Sequence, residues 1–186
     1  MLNATLQLLL DVFVQGFAYA LLLRFLLQWL RAPMRNPAGD ALMSLTNFVV
    51  LPARRYIPAI WQLDSATLLL ALCVELLYLT LILGLQSPAH TAFPLLGLLL
   101  GSVVKLLVMS VHLLMGALIA QAVLSWVNPY TPLAPLLHAV TQRFLRPIQR
   151  AIPPLGQLDL STLILLVICQ ILLLVPLAML ENIAAQ

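Results

Sequence analysis

An internal duplication constrains this chain more than any other feature. Pro52-Ala53-Arg54-Arg55-Tyr56-Ile57-Pro58, leading to Gln62-Leu63-Asp64, returns 95 residues later as Pro147-Ile148-Gln149-Arg150-Ala151-Ile152-Pro153, leading to Gln157-Leu158-Asp159. At that one offset Pro37, Leu42, Thr46, Pro52, Arg55, Ile57, Pro58, Gln62, Leu63, Asp64, Thr67 and Leu68 meet identical residues, 12 of 32 positions. Leucine abundance cannot produce this, because most matches are Pro, Arg, Asp, Gln and Thr. A repeat of this length is a whole structural unit, and we divide the chain into copies at 1–92 and 93–186.

The solvent for that unit follows from composition. Apolar residues make up 63% of the chain and charged residues 8%, against roughly 25% charged in soluble domains. Four apolar stretches reach the ~20 residues needed to cross a bilayer core, Leu6 to Leu30, Thr67 to Leu85, Leu95 to Trp126 and Leu160 to Leu180, two in each copy. The expected fold is an all-α membrane protein with four transmembrane helices as two parallel repeats. Each repeat runs transmembrane helix, amphipathic helix with a Pro-Arg connector, transmembrane helix. The first and third stretches are longer than one bilayer thickness and must tilt, break or project. The opening residues Met1-Leu2-Asn3-Ala4-Thr5 carry no basic residue, so the first span is expected to be kept as an anchor.

Seven of the nine basic residues, Arg31, Arg35, Arg54, Arg55, Arg143, Arg146 and Arg150, lie in the two segments that join the spans within a copy. The positive-inside rule places those segments in the cytoplasm and both termini outside. A multi-pass membrane protein is expected. Nucleic acid is not an expected partner, since the arginines lack interleaved aromatic stacking platforms.

The same segments hold ten of the thirteen prolines, read as rigid connectors with defined bends. Between prolines, Leu42, Leu45, Phe48 and Val49, then Leu133, Leu137, Val140 and Phe144, recur at helical spacing, which predicts one interfacial amphipathic helix per copy. Asp64 and Asp159 stand before apolar runs as N-cap candidates, with Arg55 and Arg150 as possible ion-pair partners. The spacing Gly97 to Gly101, with Gly16 to Ala20 and Gly116 to Ala120, supports helix packing in general and leaves a homo-oligomer open.

Inside the spans, Arg24 aligns with Gln121 and Glu75 with Gln170, so a charged pair in one copy is a neutral amide pair in the other. Helical rise and side-chain tilt lean Arg24 and Glu75 toward each other, and Asp11 and Lys105 share one level. An isolated charge at that depth costs about 2.5–3.5 kcal/mol, which favours pairing or exposure to a polar cavity; otherwise Arg24 snorkels, Asp11 and Lys105 reach the outer headgroups and Glu75 is partnered or protonated. Cys73 and Cys169 sit one residue out of repeat register, about 100° apart around equivalent helices, and are read as packing residues. His112 is the one histidine within a span, too few for bis-histidine haem ligation. No nucleophile, phosphate-cradling or metal-ligand motif is present, so catalysis, cofactor and metal are not expected.

Leu145-Arg146-Pro147-Ile148-Gln149-Arg150-Ala151-Ile152-Pro153-Pro154-Leu155-Gly156-Gln157-Leu158-Asp159-Leu160-Ser161 resembles the signature of the YggT family, known in some lineages as YlmG. The double repeat matches as well. Carried over by position, the motif falls on Pro147, Arg150, Pro153, Gly156 and Asp159, and in the first copy on Pro52, Arg55, Pro58 and Asp64. The sequence departs from the pattern at Gln149, Gln157 and Thr162. The resemblance implies a small bacterial inner-membrane protein without a known catalytic residue. In different lineages the family is associated with osmotic or cation stress, with envelope or division processes and with assembly of cytochrome b complexes.

The leading expectation is a non-enzymatic scaffold or assembly factor that meets a membrane partner or anionic lipid through Arg54, Arg55, Arg146 and Arg150. The alternative is a small ion or osmolyte channel or transporter component, lined by Arg24, Glu75, Gln121 and Gln170.

Overall fold

The computed structural model describes residues 2–57, 64–86, 95–128, 131–151 and 160–180. Among these the regular structure is helical throughout: α1 (Leu2–Leu10), α2 (Gly16–Trp29), α3 (Pro37–Tyr56), α4 (Ser65–Gln86), α5 (Leu95–Val127), α6 (Ala134–Ala151) and α7 (Leu160–Leu172). A π turn at Asp11–Gln15 joins α1 to α2, and another at Leu173–Leu177 extends α7. Four helical runs are long and apolar enough to cross a membrane, Thr5–Trp29, Ser65–Leu85, Leu95–Val127 and Leu160–Leu180. Each begins and ends within two residues of its sequence-based position, because run length and hydropathy alone decide it.

The amphipathic helices fall between the paired spans. Asn36 starts α3: its backbone is extended, its side chain accepts from the Gly39 N–H at 2.8 Å, and Pro37 fills the first helical position, where a missing N–H costs nothing. Gly39 is required there, since a Cβ would lie 2.2 Å from the Met34 carbonyl oxygen. Pro52 and Pro147, expected in bent connectors, instead lie inside α3 and α6. Each stands in the last turns of its helix, where proline removes one backbone hydrogen bond and the helix runs on. At Pro176 the wider π turn of the fourth span accommodates the missing N–H.

Helix α2 ends in a Schellman motif, with the Ala32 N–H on Leu27 O at 2.9 Å and the Arg31 N–H on Gln28 O at 3.1 Å. Arg31 holds the left-handed position at φ 54°, a conformation usually left to glycine. That cap turns the chain back, and Ala32 packs with Leu27, Leu136 and Val140. The turn therefore joins the two repeats as well as ending a helix.

Helices α2, α4 and α5 pack mutually, and α3 closes one side. Ala18, Leu21, Leu22, Val50, Ala71, Leu106 and Met109 form this core, in which Ala18 and Ala71 let the backbones approach. In lipid, such contacts stabilise through close packing more than through expulsion of water. Leu118, Leu145, Leu165 and Cys169 join α5, α6 and α7. Helix α5 is unbroken over 33 residues, about 50 Å, so the overlong span resolves by projecting beyond a ~30 Å hydrocarbon layer. The halves are unequal: α4 packs on α5, while α7 packs on α5 and α6 without an extensive contact to α2. A strict twofold arrangement would make those two contacts alike.

Candidate functional site

The duplication builds one polar joint twice. In the first copy Arg24, fully buried on α2, donates from Nη1 to Thr46 Oγ1 at 2.6 Å and to Asn47 Oδ1 at 2.9 Å, while Thr46 donates to the Leu42 carbonyl at 2.7 Å. In the second copy the fully buried Thr141 hydroxyl reaches Gln121 Oε1 and also the Leu137 carbonyl at 3.0 Å. Its single proton serves one acceptor at a time. Thr141 sits between a backbone carbonyl and a span side chain as Thr46 does, but it faces an acceptor oxygen of Gln121 where Thr46 accepts from Arg24. Each amphipathic helix is thus pinned to the span before it by a threonine that back-bonds its own helix. Thr46 and Thr141 were not singled out as site residues, although both stand among the twelve repeat identities and are the uncharged polar identity within the amphipathic stretch.

A second joint ties the ends of α2 and α3 to the start of α4. Arg54 forks onto Asp64, with Nη2 to Oδ2 at 2.5 Å and Nε to Oδ1 at 3.3 Å. Gln28, with its amide oriented to satisfy both partners, donates to Asp64 Oδ2 at 2.9 Å and accepts from Arg54 Nη2 at 3.1 Å. Thr67 hydrogen-bonds the same carboxylate, and the Leu68 N–H reaches the Asp64 carbonyl at 3.2 Å, the geometry of an N-cap. Burial pushes the Asp64 carboxyl up, but the Arg54 and Thr67 hydrogen bonds and the Arg54 charge outweigh it and hold it below its ordinary value. The partner is Arg54 rather than Arg55. Neighbours in a helix point about 100° apart, and α3 continues to Tyr56 with residue 54 facing α4. At the repeat offset Gln149 takes the place of Arg54, and Asp159, the counterpart of Asp64, lies outside the described residues.

Neither expected intramembrane pair forms. Arg24 turns to α3, whose Thr46 and Asn47 offer nearer oxygens. Glu75, fully buried on α4, leaves both carboxylate oxygens without a hydrogen-bond partner among the described residues. Asp11 accepts from the Tyr78 hydroxyl at 2.6 Å instead of meeting Lys105, because the π turn that carries it packs against α4. Depth along a helix is readable from sequence, whereas direction around it is set by packing. Gln170 is exposed on α7, so Arg24, Glu75, Gln121 and Gln170 are not gathered along one line. His112 sits exposed, with Nδ1 3.0 Å from the Val108 carbonyl. Gly16 and Gly116 face open space, so neither mediates close packing within the chain.

The basic groups divide differently from the sequence expectation. Arg54 is committed to Asp64, while Arg55, Arg146 and Arg150 are exposed. Helix α6 runs unbroken past Pro147, which sets Arg143, Arg146 and Arg150 at three- and four-residue intervals on one exposed side, opposite Thr141 and Leu145, which are buried. Arg143 also lies over the Trp29 ring, with its guanidinium carbon 5.1 Å from the centroid. Helix α3 presents apolar groups instead, Leu45, Phe48 and Leu51 exposed and Phe48 against Phe17 at 5.6 Å. Pro58, Pro153, Gly156 and Asp159 lie outside the described residues. No group of three or more His, Cys, Asp or Glu side chains able to hold a metal occurs among the described residues.

Comparison with known proteins follows the same two-part plan. The CCB3/YggT family model matches residues 3–86 and 100–180. A Vibrio alginolyticus protein named from the proC 3′ region is 33% identical over 152 residues, covering 81% of this chain and 82% of its own length. A Pseudomonas aeruginosa protein is 32% identical over 142 residues, 75% of this chain and 72% of that one. Escherichia coli YggT is 28% identical over 169 residues, 90% of this chain and 87% of that one. No solved structure matches. Two matched segments, each holding a pair of spans and the amphipathic helix between them, show that this chain belongs to the CCB3/YggT family.

Proposed function

We propose that the protein is a non-enzymatic scaffold or assembly factor of the bacterial inner membrane, engaging a membrane partner or anionic lipid through its two platform helices. The reading places α3 and α6 at the cytoplasmic surface and both termini outside, as the distribution of arginines favours. The observation that carries it is the construction of α6. One face is buried against α5 and α7, its threonine is pinned to Gln121, and Arg143, Arg146 and Arg150 line the opposite, exposed side. A helix fixed in this way offers guanidinium groups to acidic headgroups or acidic side chains at about 1 kcal/mol per charge near an anionic surface. Helix α3 adds an apolar face of Leu45, Phe48 and Leu51 at the same end of the bundle. Where the family's association with osmotic stress applies, it would act through what these platforms assemble.

Charge reversal tests the reading. Arg55→Glu combined with Arg150→Glu is expected to keep membrane abundance while removing the partners captured by crosslinking in native membranes. An unchanged set of partners and unchanged orientation would overturn it.

A further inference from the structure

An apolar groove of about 760 Å³ runs between α2, α4, α5 and α6. Its floor is formed by Leu22, Leu27, Leu106 and Val140, all buried, and its rim by Leu68, Leu69 and Leu107, all exposed, so it opens sideways where a bilayer would lie. Of its two serines, Ser110 spends its hydroxyl on the Leu106 carbonyl at 2.8 Å. A wall of this kind offers water too few of the two to four polar partners it needs. The platform end of the groove carries Trp29 and Phe144, and there the Arg143 guanidinium carbon lies 5.1 Å from the Trp29 ring centroid. A guanidinium held over a ring in this way stays exposed and keeps N–H groups able to meet an anion such as a phosphate.

A cation at one end of a long apolar groove matches an amphiphile with an acidic head and a hydrocarbon tail. We propose that the groove is the seat of a single anionic phospholipid, an acyl chain lying along α2 and α5 and the phosphate held by Arg143 against Trp29. The seat belongs to one side only. At the repeat offset the residue equivalent to Arg143 is Phe48, and Trp126, the counterpart of Trp29, is 82% exposed against 42%. The inference rests on the platform reading for which end meets the inner headgroups, and it goes further by naming the ligand and its place.

The test uses the full chain, purified and delipidated in mild detergent. It is titrated with phosphatidylglycerol or phosphatidylcholine of identical chains, and retained lipid is counted by native mass spectrometry. The expected result is one phosphatidylglycerol held about fivefold more tightly than phosphatidylcholine, the equivalent of about 1 kcal/mol for one charge. Arg143→Gln should bring that ratio close to unity, and Ala117→Trp, which fills the groove, should abolish retention of both lipids. Equal retention of the two lipids by the unaltered protein, or an unchanged preference in Arg143→Gln, would overturn the proposal. Arg143 is exposed, so that comparison decides the matter even if Ala117→Trp does not fold. The Arg55 and Arg150 charge reversal reads partners and not this seat, so failure of either proposal is seen separately.

Discussion

Thr46 and Thr141 each place one hydroxyl between a backbone carbonyl on their own helix and a polar side chain on a span. The chemistry differs across the repeat. Thr46 receives a guanidinium, whose Nε and Nη2 have no hydrogen-bond partner among the described residues, and Thr141 meets a neutral amide. Buried hydrogen bonds to charged groups contribute about 1.5–3 kcal/mol and neutral ones about 1 kcal/mol. Thr46→Val is therefore expected to destabilise by about 2 kcal/mol and Thr141→Val by about 1 kcal/mol, read from heat unfolding in detergent. Adding Arg24→Met to Thr46→Val should recover part of the first loss, since it removes the stranded charge. The sequence revealed that Arg24 needed company and offered Glu75, whereas the structure gives it Thr46 and Asn47. Rise per residue gave its depth, and only the packing of α3 on α2 gave its direction.

Among the elements, the start of α4 concentrates the most interactions, with Asp64 serving Arg54, Gln28 and Thr67 together. Its carboxyl is held below the ordinary value, so its contribution is present above the unfolded pKa and is lost as pH falls through the folded one. At neutral pH, Asp64→Asn is expected to cost about 1–2 kcal/mol, allowing for the part-exposed Arg54. The gap between variant and parent should close as pH is lowered below about 4 and the parent loses its charge, which unfolding measured across a pH series would show. That this aspartate caps a helix was legible, because an acid before an apolar run is a local signal. Its partner was not, since the choice between Arg54 and Arg55 depends on how far α3 continues. The prolines misled for a related reason: a proline near a helix end removes one bond and leaves the last turn standing.

At the scale of the molecule, hydropathy fixed the four spans to within two residues, and the repeat gave their grouping. Both cysteines were read as packing residues, and of the two only Cys169 is buried. Their one-residue shift in register corresponds to about 100°, and Cys73 is exposed on α4 while Cys169 is buried between α7 and its neighbours. In the folded protein in detergent, a small apolar maleimide is expected to modify Cys73 alone, with both thiols reacting after unfolding. Labelling of Cys169 at a comparable rate would mean that α7 is not docked as described. Because α7 meets α5 and α6 and contributes nothing to the walls of the lateral groove, every wall residue precedes Leu160. The walls of the groove are therefore supplied by the first three spans and the second platform helix, so removing the fourth span would leave every lining residue in the chain.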